Sequence, residues 1–279
     1  MLIQINKSPF EVYCDDSLER ERPEDLHEAL GDVCWLMYNV RLQDSEELSR
    51  FEVYVIEEDP ETGQLFSRVK PKDEVKKKAI EEMGRTMQFG RYPQNSDTPE
   101  PITWRIIDIY PRWVLLISEQ ILDCRPYNEP AEGVDREKDE GACWKDSSLR
   151  EWLNRDFLQM AFTEEERKRL DRINCRTQNN RKYDTYGGPS TDDYVCLLNE
   201  EEAKEFFGND PDRRAEATAY AEKKGLYVTA DHAAGWWLRT PGDTLANALY
   251  VTEGGDIDKG VGHWVGDDEA GGVRPVIRL

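Results

Sequence analysis

Histidine is scarce in this chain, with three in all, His27, His232 and His263, and no GxSxG, HExxH or P-loop pattern accompanies them. Histidine-centred catalysis therefore has no support in the sequence, and the expectation is a chain without enzymatic activity. His27 falls on the polar side of an expected helix and reads as solvated. His232 and His263 lie in a glycine-rich end, where a ligand contact competes with plain surface placement. The six cysteines, Cys14, Cys34, Cys124, Cys143, Cys175 and Cys196, form no CxxC pair in a chain of 279 residues, so neither a zinc site nor a small disulfide scaffold is indicated. They read as reduced, partly buried thiols. No run of about eighteen apolar residues occurs, and the opening MLIQINKSPFEVYCDD carries no basic leader before an apolar stretch. The expectation is a cytoplasmic protein without a membrane span. Positive charge is short as well: 37 Lys and Arg stand against 58 Asp and Glu, a formal net charge of -21. Such a field repels phosphate backbones and anionic lipid, which excludes direct nucleic-acid or membrane partners and favours a basic partner or simple solubility.

What the chain does have is apolar and aromatic material for a sizeable core: 38% hydrophobic residues, with eight Trp, twelve Tyr and eight Phe. Its periodicities predict an α+β protein in two parts. In residues 1–86, PEDLHEALGDVCWLMY (23–38) and PKDEVKKKAIEEMGR (71–85) have helical spacing, while FEVYVI (51–56) and LFSRV (65–69) read as a hairpin. These make a small α+β accessory domain. Residues 87–279 form the larger domain. It begins with MQFGRYP (87–93), followed after a Pro-rich turn by ITWRIIDIY (102–110) and WVLLISEQIL (113–122), a tight hairpin whose unbroken apolar runs imply burial on both faces. Helices follow, with capping boxes at Ser148/Glu151, Thr163/Glu166 and Asn199/Glu202, and another begins at Asp210 and Pro211 and ends at Gly225. CRTQNNRKYDTYGGPSTDD (175–193) reads as a surface loop and DYVCLLN (193–199) as a buried strand.

The C-terminal stretch differs in character. Nine of the nineteen glycines lie after position 234, separating short β-like pieces that end in VRPVIRL, a strand suited to completing a sheet. Within it, GWWLR sets two tryptophans side by side; adjacent strand residues point to opposite faces, so one enters the core and the other looks outward. Between Trp237 and Val273 the turns offer Asp243, Thr244, Asn247, Tyr250, Asp256, Asp258, Lys259, His263, Trp264 and Asp267. Tyr and Trp give contact area with few torsions to freeze, and Asn, Asp and Thr give adaptable hydrogen bonds, as in binding loops. Ordinary loop surface is the competing reading. The D-x-D-x-G of Asp256, Asp258 and Gly260 lacks the remaining ligands of a calcium loop and reads as a polar turn, as do Asp267, Asp268 and Glu269. No metal or cofactor is expected.

WRIIDI (104–109), LLISEQILDCRPYN (115–128), SSLREWLNRDF (147–157), WWLRTPG (236–242) and GGVRPVIRL (271–279) together resemble a bacterial and phage family with the C-type-lectin-like fold. That family is related to the variable proteins of diversity-generating retroelements and to the formylglycine-generating-enzyme fold. The resemblance covers about 87–279 and implies that the WWLR and GVRP strands frame the core while the residues between them form the ligand face. It also implies that one tryptophan packs inside and the other borders that face: Trp236 in and Trp237 out, or the reverse. The cysteine pair of the copper enzymes of this fold is missing from the ligand-face region, and so are the EPN or QPD and WND stretches of the calcium-dependent sugar binders. The function expected is a non-catalytic binding protein presenting a variable or adaptable face to a protein partner. A formylglycine-type oxidase and an acidic decoy that imitates nucleic-acid phosphates are the alternatives.

Overall fold

The computed structural model describes residues 85–110, 113–130, 141–267, 269 and 271–279, together with four strands nearer the N-terminus. Among the described residues the chain is mixed α+β, with mostly antiparallel sheets and few, short helices. It falls into two compact units, residues 1–85 with 106–114, and residues 86–105 with 115–279.

In the first unit the strands are Leu2–Asn6, Glu11–Val12, Glu52–Glu58 and Leu65–Val69. Leu2–Asn6 pairs antiparallel with Glu52–Glu58, which pairs in turn with Leu65–Val69 from Tyr54↔Val69 to Glu58↔Leu65. The β-rich runs expected at 51–56 and 65–69 are thus neighbouring strands. The helices expected over 23–38 and 71–85, and His27, lie outside the described residues except for Arg85.

The second unit holds the larger part of a five-stranded sheet, in the order Val195–Cys196, Val276–Arg278, Trp113–Ser118, Pro99–Tyr110, Thr86–Pro93. The C-terminal strand does not cap an edge. It is inserted between two others, with Ile277 opposite both Leu116 and Val195, and all three side chains are fully buried. Ile102 and Trp104 are equally dry, and the Trp104 indole N–H donates to the Phe89 carbonyl at 2.7 Å. Across the 86–93 strand a bulge at Gly90, with φ +68°, lets the backbone meet the Phe162 ring, where a Cβ would come within 2.6 Å.

The helices obey their caps, with two corrections. Thr163/Glu166 and Asn199/Glu202 are reciprocal capping boxes. The cap of the Ser148–Trp152 helix is instead Ser147, whose hydroxyl accepts from the Arg150 N–H, because the Ser148 hydroxyl is taken by the Glu129 N–H at 2.8 Å. This helix runs on through a π-type turn, Leu153–Phe157, into Leu158–Ala161 and buries Leu149, Trp152, Leu153 and Phe157. The single helix expected from Asp210 to Gly225 is two, Asp210–Arg213 and Ala219–Lys223. Between them Ala215–Glu216 leaves the helical path to pair with Ala233–Ala234, and residues 216 and 218 exchange backbone hydrogen bonds with Ile121. Tertiary partners outweigh the local helical pattern here.

Two arginines from the WWLR and GVRP blocks hold the interior. Arg239 is 1% exposed; its guanidinium pairs with both carboxylate oxygens of Glu202 and donates to the carbonyls of Leu197 and Arg176. Burial opposes that charge, but Glu202 outweighs it and holds the guanidinium pKa above its ordinary value. Arg274 is fully buried between the rings of Phe207 and Trp236, 5.3 and 5.1 Å from their centroids. It donates to the carbonyls of Ser118, Glu119 and Arg213, and burial lowers its pKa to about 9. One side chain thereby ties the central strand's end to the segment that precedes the C-terminal sheet.

Candidate functional site

The stretch that prompted the functional expectation forms a three-stranded antiparallel sheet: Trp236–Pro241, Asn247–Val251 and His263–Trp264. Both tryptophans are buried, each with 0% exposure, so neither looks outward as expected. Trp236 packs edge-on to Phe207 beneath Arg274, and its indole N–H donates to the Arg213 carbonyl at 3.2 Å. Trp237 does point to the other side of the strand, but that side is roofed over. Tyr127, Tyr250 and His263 lie with ring centroids 5.9, 6.4 and 6.2 Å from it, and its N–H donates to the Arg125 carbonyl at 2.9 Å. Trp237 is the floor of a site and not its surface. Sequence alternation gives the side a residue points to, but whether that side is wet depends on what the fold lays across it.

Register sorts the remaining candidates. Trp237 faces Tyr250 and Ala248 faces His263, so these four share one side of the sheet, whereas Asn247 and Trp264, opposite each other, share the reverse side with Trp236 and Val251. On the Trp237 side Tyr250 and His263 are half-buried and stand edge to face, 5.6 Å apart. His263 Nε2 meets Asp267 Oδ2 at 2.7 Å, and Asp267 Oδ1 accepts the Glu269 N–H at 2.9 Å. Asp267 is therefore a built part of the group and not a merely solvated turn residue; Asp268 lies outside the described residues. The Asp258 carboxylate accepts the Gly262 N–H at 2.6 Å, and its own N–H donates to the Tyr250 carbonyl. Burial, then the Asp258 charge, push the Tyr250 phenol above its ordinary pKa, so it stays a neutral hydrogen-bond donor.

The other candidates stand apart from this group. Asn247 donates to Asp243 Oδ1 at 2.7 Å, and the exposed Thr244 lends its carbonyl to the Asn247 N–H. Asp256 sits on the Thr252–Asp256 turn, its charge felt by Arg213. Lys259 is exposed. His232 is a surface residue with φ +62°, paired to Glu222 at 2.7 Å. Two glycines make the site's turns possible. A Cβ on Gly242 would lie 2.2 Å from the Val261 carbonyl oxygen, and Gly262 takes φ +83° with the Ala248 carbonyl close by.

One contributor escaped the sequence reading. The 176–190 loop is not a free surface excursion but is fastened to this sheet by Asn180, 2% exposed. Its amide donates to the carbonyls of Pro241 and Gly260 at 2.9 and 2.8 Å, and its oxygen accepts the N–H groups of Lys182 and Tyr183. All four hydrogen-bonding positions of the amide are used. Thr185 adds a bond from its hydroxyl to the Asp243 carbonyl at 2.7 Å. Tyr183 and Tyr186, 43% and 62% exposed, are carried on the loop that these bonds fasten. RKYDTYGG shows aromatic residues among turn formers, but nothing in its spacing names the loop on which Asn180 closes.

A family model described as a domain of unknown function, DUF6273, matches residues 113–279, which is more than half of the chain and includes every residue of this site. The chain belongs to that family. No curated protein and no solved structure matches it. Within the DUF6273 region the cysteines Cys124, Cys175 and Cys196 are buried and in no disulfide, and Cys143 is half-buried. Among the described residues no group of three or more His, Cys, Asp or Glu side chains is placed to hold a metal ion. Among them, too, no helix is long and apolar enough to cross a membrane.

Proposed function

We propose that the DUF6273 region is a non-catalytic binding module. Its C-type-lectin-like scaffold would present the Tyr250 face to a protein partner, in the manner of the variable proteins of diversity-generating retroelements. One observation carries this reading: Tyr250 and His263 are half-open to solvent yet seated on a fully buried Trp237, with Asp258 and Asp267 already held by hydrogen bonds. A face whose torsions are fixed before binding loses less entropy on association, and a supported tyrosine is the residue type that anchors interfaces. The block resemblance supports the scaffold, since it puts the ligand face between the WWLR and GVRP strands. Site-specific photo-crosslinking from position 250 in the full chain identifies the partner, and affinity is then compared with Tyr250→Ala. The expected loss is about 2 kcal/mol, roughly 30-fold, with the folded state retained by near-UV circular dichroism. Equal affinity in the variant refutes the proposal.

A further inference from the structure

Beyond Val251 the chain turns back on itself, and the return sets acids beside the Tyr250 ring. The Thr252 N–H closes the turn on the Asp256 carbonyl at 2.8 Å, and Val251 and Ile257 form an antiparallel bridge. On this register the next pair is Tyr250 and Asp258, with the Asp258 N–H donating to the Tyr250 carbonyl at 3.1 Å. Residues directly opposite each other share a face, so the Asp258 carboxylate stands on the side that carries Trp237, Tyr250 and His263. The exposed Glu253 bears on the same ring: burial first, then the charges of Asp258 and Glu253, hold the phenol protonated. Asp258 is bonded by the neutral Gly262 N–H, which leaves its charge intact, and neither carboxylate is ion-paired among the described residues. The ring between them is half-open, and it leans over Gly235, where a Cβ would come within 3.3 Å of it.

We infer that this face takes an arginine from a basic segment of the protein partner, its guanidinium held between the Tyr250 ring and the carboxylates of Asp258 and Glu253. The inference rests on the binding reading of the Tyr250 face and names the chemistry of its partner. The cations nearby do not reverse the sign. Arg214, whose Nε donates to the Glu253 carbonyl at 3.2 Å, is paired with Asp231, and His263 is paired with Asp267. Lys182, which reaches the Lys259 carbonyl, and Lys259 share their region with Asp184 and Asp243, whose bonds come from the neutral amides of Asn179 and Asn247. A net charge of -21 adds a long-range pull on a basic chain in the same direction. Guanidinium suits the place better than ammonium, because its plane stacks on an aromatic ring while its edge donates to carboxylates. Since Trp237 and the hydrogen bond to Gly262 fix ring and acid in advance, little ordering remains for binding to supply.

The test uses the full chain, immobilised, and a displayed library of random peptides. Enriched peptides are synthesised with a fluorescent label and titrated by polarisation against wild type, Asp258→Asn/Glu253→Gln, Tyr250→Ala and Glu164→Gln/Glu165→Gln, each first checked for a retained fold by near-UV circular dichroism. The last variant makes the same change in net charge at two exposed acids of the Glu164–Arg167 helix. The expected result is enrichment of arginine. Affinity should fall by roughly tenfold or more in Asp258→Asn/Glu253→Gln and in Tyr250→Ala, stay within about twofold in Glu164→Gln/Glu165→Gln, and weaken as salt is added. Enrichment of acidic or uncharged peptides, or of lysine without arginine, overturns the inference. So does an equal loss in the two neutralised pairs, which would mean bulk attraction alone. Peptides that depend on Tyr250 but not on Asp258 and Glu253 would sink the arginine and leave the Tyr250 face standing. No enrichment at all would sink both.

Discussion

Removing the Glu202 carboxylate should destabilise the second unit far more than a half-exposed acid normally does. Glu202 side-chain exposure is 29%, while that of its partner Arg239 is 1%. The Glu202→Ala variant leaves a buried guanidinium with only the carbonyls of Leu197 and Arg176 for company, and also deletes the bond from the Asn199 N–H to Glu202 Oε2 at 2.9 Å. Breaking a fully buried pair costs about 3–5 kcal/mol; because water reaches the glutamate edge, we expect about 2 kcal/mol from the charge. The lost cap adds about 1 kcal/mol. The sum, near 3 kcal/mol, lowers the melting temperature of a unit this size by about 6–12 °C. Near-UV circular dichroism reports it directly, since Trp236 and Trp237 share the strand with Arg239. Glu202→Gln retains the cap and should lose only about 2 kcal/mol. The decisive arm is Arg239→Met combined with Glu202→Ala: once the buried charge is gone, the second change should cost about 2 kcal/mol less than it does alone. Additive losses in this cycle, or a Glu202→Ala shift of only a degree or two, would refute the claim that this ion pair holds the WWLR strand.

Trp237 offers a second check. Trp237→Ala should cost about 4 kcal/mol in urea unfolding, and Trp237→Phe, which retains a ring but strands the Arg125 carbonyl, about 1–2 kcal/mol; a near-neutral alanine variant would mean that Trp237 faces solvent after all. The third concerns pH. Burial would raise the pKa of Glu119, but its hydrogen bonds to Arg105 more than offset this and leave it below the ordinary 4.5. A carboxyl whose folded pKa is depressed contributes stability in full above the unfolded value and loses it as pH falls through the folded one. Stability should therefore decline below pH 4.5, and Glu119→Gln should flatten part of that decline in melting temperatures taken from pH 6 to pH 3. An identical slope in both proteins contradicts the assignment.

How much of this could be read from the residues depends on the range of the physics involved. The boxes at Thr163/Glu166 and Asn199/Glu202 were legible because a cap is decided within four residues. The α+β character, the strands near 51–69 and the sheet-completing VRPVIRL followed from period-two apolar patterns, which are equally local. Ser148 was misread as a cap because its hydroxyl answers to Glu129, nineteen positions away. The 210–225 helix broke where Ile121 and Ala233–Ala234 supplied better backbone partners than a helix could.

The sequence alone determined that Trp236 and Trp237 point to opposite sides of a strand, that the chain is strongly acidic, and that its end is built of short strands and glycine turns. Only the tertiary structure decided that both tryptophans are dry, that Tyr250 and His263 share a side while Asn247 and Trp264 take the other, and that Asn180 brings Tyr183 and Lys182 to the same place. Direction along a strand is written into backbone geometry, residue by residue. What covers a side chain is set by chain segments tens of residues away, and no spacing rule carries that distance.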